Sequence, residues 1–152
     1  MERQAGGLGW RRVVAYWGPV VLYAGVIFYL SSRSHPDDDL PSLFDLFGDK
    51  VLHLVEYAGL GGLCYRAFRW GLEGPLASWA MFWAIGAASV YGVTDEVHQL
   101  FVPFREAGWQ DWLADTAGAA LGAAGISLCG RSLGGGSGDG PAGVTTQRTR
   151  PL

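Results

Sequence analysis

Long runs of apolar residues separated by short polar segments make up most of the chain before its last two dozen residues. Four runs approach or exceed the length that a helix needs to cross the hydrocarbon layer, which is about 20 residues. They cover residues 13–30, 51–68, 75–94 and 109–129. The pattern therefore predicts an all-α protein in which four transmembrane helices form a bundle.

The polar segments between these runs predict loops and a tail. Residues 31–48 contain three consecutive aspartates and two prolines, which predicts an aqueous loop with a short interfacial turn at 43–47. Residues 71–74 predict a tight turn. The Gly-, Ser- and Thr-rich segment 131–152 has almost nothing to bury and predicts a disordered tail, leaving 1–130 as the membrane domain.

The first apolar run resembles a signal peptide in one respect, because Arg11 and Arg12 precede it. Its 18 residues exceed the apolar stretch of about 7 to 15 residues that is usual in signal peptides. No small-residue cleavage site follows it. A retained membrane span is the favoured interpretation.

Basic residues predict the orientation, because short loops that carry them remain in the cytoplasm. With four spans, one side of the membrane holds Arg3, Arg11, Arg12, Arg66, Arg69, Arg131, Arg148 and Arg150. The other side holds Arg33, Lys50 and Arg105. Both termini are therefore predicted to be cytoplasmic, with the 131–152 tail on that side.

Composition supports a lipid environment and excludes some partners. Hydrophobic residues make up 49% of the chain and charged residues 16%, and the mean hydropathy is +0.17 even with the polar tail included. A net charge of -3 offers no cationic field for nucleic acid, so none is expected as a partner. Cys64 and Cys129 lie inside apolar runs and are expected to act as small hydrophobic residues.

Polar side chains that lipid disfavours concentrate at the outer ends of the second, third and fourth runs. Asp49, His53 and Glu56 have the i, i+4, i+7 spacing that places residues on one face of a helix. Asp111 and Asp115 have the same four-residue spacing on the fourth run. Three predicted helices therefore direct acid, base and amide groups into one outward-facing layer, which also includes Lys50, Tyr57, Asp95, Glu96, Gln99 and Arg105.

We expect this layer to be functional, because a charge at mid-bilayer costs about 2.5 to 3.5 kcal/mol. His53, Glu56 and Asp115 are the candidate catalytic residues. The candidate substrate-binding residues are Asp49, Lys50, Tyr57, Asp95, Glu96, Gln99, Arg105 and Asp111. The structural alternative is that Asp49 and Asp111 favour helix N-termini while the basic residues merely lie at the interface.

No metal site and no cofactor are predicted. The tight ligand spacings that identify metal sites, such as H-E-x-x-H, are absent. Suitable ligand types nevertheless occur at His53, Glu56, Glu96 and His98. The glycines have a packing role instead, since Gly118 and Gly122 give the fourth helix a small face on which another helix can approach closely.

Three linked motifs match a known pattern in order and spacing. They are Gly48-Asp49-Lys50-Val51-Leu52-His53 with Glu56-Tyr57-Ala58-Gly59-Leu60, then Thr94-Asp95-Glu96-Val97-His98-Gln99 with Phe101-Val102-Pro103-Phe104-Arg105, and Asp111-Trp112-Leu113-Ala114-Asp115-Thr116-Ala117-Gly118. Over about 13–130 the chain resembles the VanZ-like family of small bacterial integral membrane proteins. Phe104 replaces a glycine expected there, and Asp115 replaces the asparagine of many members, which makes the layer more negative.

The resemblance implies a multi-pass protein of the bacterial cytoplasmic membrane with a role in the cell envelope. The founding member of the family is associated with resistance to the glycopeptide teicoplanin, in gene clusters concerned with cell-wall peptide remodelling. The family as a whole has no agreed reaction. The resemblance therefore implies an envelope role and leaves enzymatic activity open.

The leading hypothesis is a polar pocket that binds or modifies a lipid-linked or cell-wall-derived anionic group, held by Lys50 and Arg105. Membrane lipids and that group are the expected partners. One alternative is a transport or proton-translocating component, which is weakened because Arg66 and Arg69 are the ionisable residues near the inner half. Another is an assembly subunit whose polar residues lock helices together.

Overall fold

A computed structural model describes residues 6–33, 41–103, 105 and 107–134, with side chains at 9–33, 48, 50–103, 105 and 107–132. Every regular element in these ranges is helical, so the prediction of an all-α protein is confirmed for this part of the chain. The helices are α1 (Gly6–Ser31), α2 (Pro41–Arg66), α3 (Pro75–Ser78), α4 (Ala80–Gln99) and α5 (Trp109–Gly134). A π-helical turn, Ala67–Gly71, follows α2.

Helix α2 bends at Gly48, where φ is 68° and ψ is 157°. This left-handed conformation suits glycine, since a Cβ would clash with the backbone there. Residues 41–47 therefore form a short helix of their own, opened by Pro41 in the first turn. The predicted loop at 31–48 is helical from Pro41, while its aspartates at 37–39 lie outside the described residues.

The third apolar run is broken rather than continuous. Gly74, with φ of 72°, turns the chain into the short α3, and Trp79 separates α3 from α4 with φ of -101° and ψ of 24°. Helix α4 then continues to Gln99, beyond the charge-free run that ends at residue 94. This extension carries the polar residues at 95–99 on regular helix, so their relative positions are fixed by helix geometry.

Small residues form the closest helix contact, which lies between α2 and α5. A Cβ added at Gly118 would overlap the carbonyl oxygen of Leu54, and one added at Gly122 would overlap that of Ala58. Gly61 of α2 approaches the backbone of Ala119 in the same way. The two backbones therefore touch along their length, as small-residue faces allow.

The remaining helices pack around this pair. Helix α4 buries a stripe of small residues, namely Ala80, Ala84, Ala88 and Gly92. Helix α1 contacts α2, the π-helical turn and α4, burying Val20 and Ile27. Cys64 is buried in this core, whereas Cys129 is exposed on α5, so only the first of the two behaves as the interior residue that the sequence predicts.

Among the described residues, two helical stretches, Gly9–Ser31 and Trp109–Ser132, are long and apolar enough to cross a bilayer, so the bundle of four transmembrane helices stays a prediction. The outer surface of the bundle is rich in large apolar side chains. Leu22 is 73% exposed, Val90 66% and Phe101 80%. The interior thus holds many small and polar residues with a few larger ones such as Ile27, Tyr57 and Leu60, whereas the exterior is rich in large apolar side chains.

We predict that Gly122→Ala destabilises the protein by about 1 to 3 kcal/mol, because the added Cβ forces α5 away from the Ala58 carbonyl. Gly125→Ala in the same helix is the control. A Cβ added at Gly125 would have no atom of a neighbouring helix within 4 Å in the described part of the chain. Thermal unfolding of the purified variants measures the difference. Equal stability of the two variants would contradict the close contact.

Candidate functional site

Polar side chains from α2, α4 and α5 meet at one end of the bundle. Asp115 is fully buried, and His53, Asp95, Gln99 and Asp111 are at most 5% exposed. We call the whole group the polar layer. It consists of Lys50, His53, Glu56, Tyr57, Asp95, Glu96, Gln99, Arg105, Asp111 and Asp115.

A buried pair between α2 and α5 lies at the centre of the polar layer. His53 Nδ1 and Asp115 Oδ1 are 2.9 Å apart. Gly92 of α4 makes room for this pair, because a Cβ at that position would lie 2.8 Å from Asp115 Oδ2. That second oxygen is buried and has no hydrogen-bond partner among the described residues.

At the rim of the layer, Lys50 and Asp111 form an ion pair with a separation of 2.7 Å. The Lys50 side chain is 58% exposed and that of Asp111 is 7% exposed. Asp111 lies in the first turn of α5, where the helix dipole favours a negative charge. The ammonium group can therefore reach solvent while it neutralises a nearly buried acid.

Glu96 connects α4 to the start of α5. The backbone N–H of Gly108 donates a hydrogen bond of 2.6 Å to Glu96 Oε2. The other oxygen, Oε1, is buried and has no hydrogen-bond partner in the part of the chain that the structure describes. Glu96 thus holds the α4–α5 connection with one oxygen and directs the other into the protein.

Helix α1 also contributes to the polar layer, through Ser31. Gln99 Nε2 donates hydrogen bonds to Ser31 Oγ, at 3.0 Å, and to Asp95 Oδ2, at 3.2 Å. The Oγ of Ser32 and the Nε2 of His98 are 3.0 Å apart beside these residues. Four helices therefore meet here, one more than the three that sequence reasoning assigned.

Glu56 and Tyr57 occupy the deeper part of the layer. Glu56 is half-buried, and Tyr57 is fully buried with its ring centroid 6.3 Å from that of Tyr91. Tyr23 of α1 reaches this region because Gly59 leaves space for its ring. The electrostatic neighbours of Glu56 are Tyr23, His53, Asp95, Asp115 and Arg105.

The structure brings ten of the predicted site residues together, and the side chain of the remaining one, Asp49, lies outside the described residues. Sequence reasoning missed Ser31 and Tyr23. Tyr23 belongs to the first apolar run and Ser31 directly follows it, and a lone hydroxyl in either place carries no functional signal. Their contact with the layer depends on how α1 packs.

One subset of the layer has the geometry to hold a cation. A ring nitrogen of His53, a carboxylate oxygen of Glu96 and one of Asp115 all lie within 4.8 Å of one another. These three residues come from α2, α4 and α5. No tight ligand spacing along the chain could have indicated them.

An apolar groove of about 380 Å³ runs beside the layer, between α4 and the start of α5. Val93, Val97, Leu100, Trp109 and Trp112 form much of its wall, and Glu96, Ala107 and Gly108 complete it. Because Glu96 lines the groove and also belongs to the polar layer, the groove extends from the surface of the bundle to that layer.

The fold and the site together define a small all-helical protein with a buried polar layer at one end. The chain matches the family model VanZ/LLP1 over residues 14–130 and belongs to that family. The family assignment made from the three motifs is therefore confirmed. No curated protein and no solved structure matches the chain.

We predict that His53 and Asp115 are energetically coupled. Replacing either one by leucine leaves its buried polar partner unsatisfied, which costs about 1 to 3 kcal/mol, whereas replacing both removes that penalty. The free energy of unfolding of His53→Leu, Asp115→Leu and the double variant should therefore give a coupling energy of about 0.5 to 3 kcal/mol.

The exposed Arg12–Glu73 pair, whose side chains are 44% and 83% exposed, is the matched control. Solvent screening limits such a pair to less than about 1 kcal/mol. A cycle of Arg12→Gln and Glu73→Gln should show a smaller coupling than the buried pair. Additive effects at His53 and Asp115 would contradict the contact.

Proposed function

We propose that this protein is a four-span integral membrane protein of the bacterial cytoplasmic membrane. The distribution of side chains supports this proposal, since many large apolar residues such as Leu22 and Phe101 face outward while the polar layer lies in the interior. Soluble monomers rarely expose apolar surface on this scale. The spans are α1, the 49–66 part of α2 with its π-helical turn, α3 with α4, and α5.

The proposed orientation has both termini in the cytoplasm, because eight of the basic residues then lie inside and three outside. The polar layer lies at the outer end of the bundle in this arrangement. The membrane domain of this proposal comprises residues 1–130. The tail predicted at 131–152 is helical at its start, because α5 continues to Gly134, and its residues from 135 onward lie outside the described part of the chain.

We predict that Glu73→Cys and Gln110→Cys label from opposite sides of the membrane. Both positions are exposed, one near each end of the bundle. In a background with Cys64→Ser and Cys129→Ser, a membrane-impermeant maleimide should modify Gln110→Cys in intact cells and Glu73→Cys only after permeabilisation. Labelling of both from the same side would refute the four-span topology.

We further propose that the polar layer binds or modifies a lipid-linked or cell-wall-derived anionic group. The observation that carries this proposal is the convergence of charged side chains from several helices beside an apolar groove that shares Glu96 with them. Part of an apolar lipid tail would lie along the groove, and its headgroup would lie at the layer. Lys50 and Arg105 would provide its positive partners.

Within this site, Asp115 holds the His53 ring through Nδ1. This arrangement fixes the ring orientation, which a proton-transferring histidine requires. Glu56 is the third candidate for such chemistry, since its carboxyl interacts with His53 and Asp115. Modification of the bound group would use these three residues, whereas binding alone requires only the cationic ones. A link to teicoplanin resistance is a further extension of this proposal.

The two alternative functions, proton translocation and helix assembly, require different structural features. A proton path would need polar groups through the inner half, but Leu60, Cys64 and Ala67 fill the core of α2 there. An assembly role would use the polar layer purely to lock helices, and the buried His53–Asp115 pair is compatible with that. Ligand binding by folded variants separates the assembly role from the proposed one.

We predict that a polyprenyl phosphate binds the purified protein and that Lys50→Gln and Arg105→Gln each weaken binding about tenfold, as expected for loss of a charge-assisted hydrogen bond. Native mass spectrometry in detergent micelles measures the bound fraction. Phosphatidylcholine, which has no net charge, should bind more weakly to the same protein.

Arg69→Gln is the control, because Arg69 is exposed at the opposite end of the bundle. This variant should bind the polyprenyl phosphate as the unmodified protein does. Equal loss in all three variants would show nonspecific attraction of the anion. Unchanged binding in the Lys50 and Arg105 variants would count against the proposed site.

A further inference from the structure

We propose that His53, Glu96 and Asp115 form a binding site for a divalent transition-metal cation such as Zn²⁺ or Mn²⁺. The site lies inside the polar layer and goes beyond the proposed function, since it requires no envelope ligand. One residue comes from each of α2, α4 and α5. A bound ion would therefore join the three helices that form the layer.

The spacing of the three side chains is close to what a metal ion requires. Their candidate ligand atoms lie within 4.8 Å of one another. In the tetrahedral coordination usual for zinc, ligands about 2.0 to 2.2 Å from the ion lie about 3.3 to 3.6 Å from one another. Side-chain movements of up to about 1 Å would thus complete the coordination. One imidazole with two carboxylates suits zinc and manganese.

Two buried oxygen atoms supply an independent observation. Glu96 Oε1 and Asp115 Oδ2 have no hydrogen-bond partner among the described residues, although Glu96 is 9% exposed and Asp115 is 0% exposed. A buried carboxylate oxygen without a partner is costly, so most such atoms in proteins are satisfied. A cation between these residues would satisfy both.

The Glu96 side chain is already oriented for this role. Its Oε2 accepts the Gly108 N–H, and outer contacts of this kind hold metal ligands in position and tune their affinity. His53 Nδ1 and Asp115 Oδ1 lie 2.9 Å apart, so an ion held by both side chains would take the place of the proton between them.

The charge of the polar layer also favours a cation. Its described acids are Glu56, Asp95, Glu96, Asp111 and Asp115. Its described basic side chains are Lys50 and Arg105, and Lys50 pairs with Asp111 at the rim. A divalent ion at His53, Glu96 and Asp115 would offset much of the remaining negative charge, and it would give the proposed anionic ligand a positive partner inside the layer.

Titration of the full-length protein with metal alone tests this proposal. Protein purified in detergent and stripped with a chelator is titrated with ZnCl₂ and with MnCl₂ in a calorimeter. We expect one ion per chain and a higher unfolding temperature with metal present. Glu96→Gln and Asp115→Asn should each weaken binding at least tenfold while retaining the helical circular dichroism of the unmodified protein.

A control variant separates a specific site from general attraction. Glu73→Gln removes an exposed acid at the opposite end of the bundle. This variant should bind metal within about threefold of the unmodified protein. Absence of one-to-one binding to the unmodified protein would overturn the site, as would equal loss of affinity in ligand and control variants.

The same preparations distinguish this proposal from the proposed function. Binding of polyprenyl phosphate without any metal binding would overturn the cation site and leave the envelope ligand in place. Metal binding without polyprenyl phosphate binding would support the cation site and count against the envelope ligand.

Discussion

The rest of the structure depends on the direct backbone contact between α2 and α5. Gly118 and Gly122 let α5 approach the carbonyl groups of Leu54 and Ala58, which no larger residue would permit. At this separation His53 and Asp115 can reach each other across the helix interface. The polar layer is therefore a consequence of small residues elsewhere on the same two helices.

The contact also explains why charged groups are tolerated inside an otherwise apolar bundle. Gly92 makes room beside Asp115, so α4 closes over the buried pair and brings Asp95, Glu96 and Gln99 with it. Away from this end, α4 and α5 present small residues to the interior. The buried charged groups of the described residues are thereby gathered in one layer, which the α4–α5 groove adjoins at Glu96.

The acidic character of the layer places a condition on any anionic ligand. Lys50 already pairs with Asp111, so an anion at the rim must compete with that carboxylate. A divalent cation at His53, Glu96 and Asp115 would leave the Lys50–Asp111 pair in place, but it would make the interior of the layer less negative and so lessen its repulsion of an anion. Cation binding and anion binding would then reinforce each other, although each can be measured separately.

The sequence by itself determined the all-α class, the four long helices and the family. Apolar runs and motif spacing are read along the chain and do not depend on how the helices pack. It also placed His53 and Glu56 on one helix face. Only the tertiary structure decided the bend at Gly48, the break at Trp79 and the role of Ser31. The His53–Glu96–Asp115 set likewise depends on how closely the helix backbones approach one another. Residues brought together in this way have no characteristic spacing along the chain, so the sequence could not reveal them.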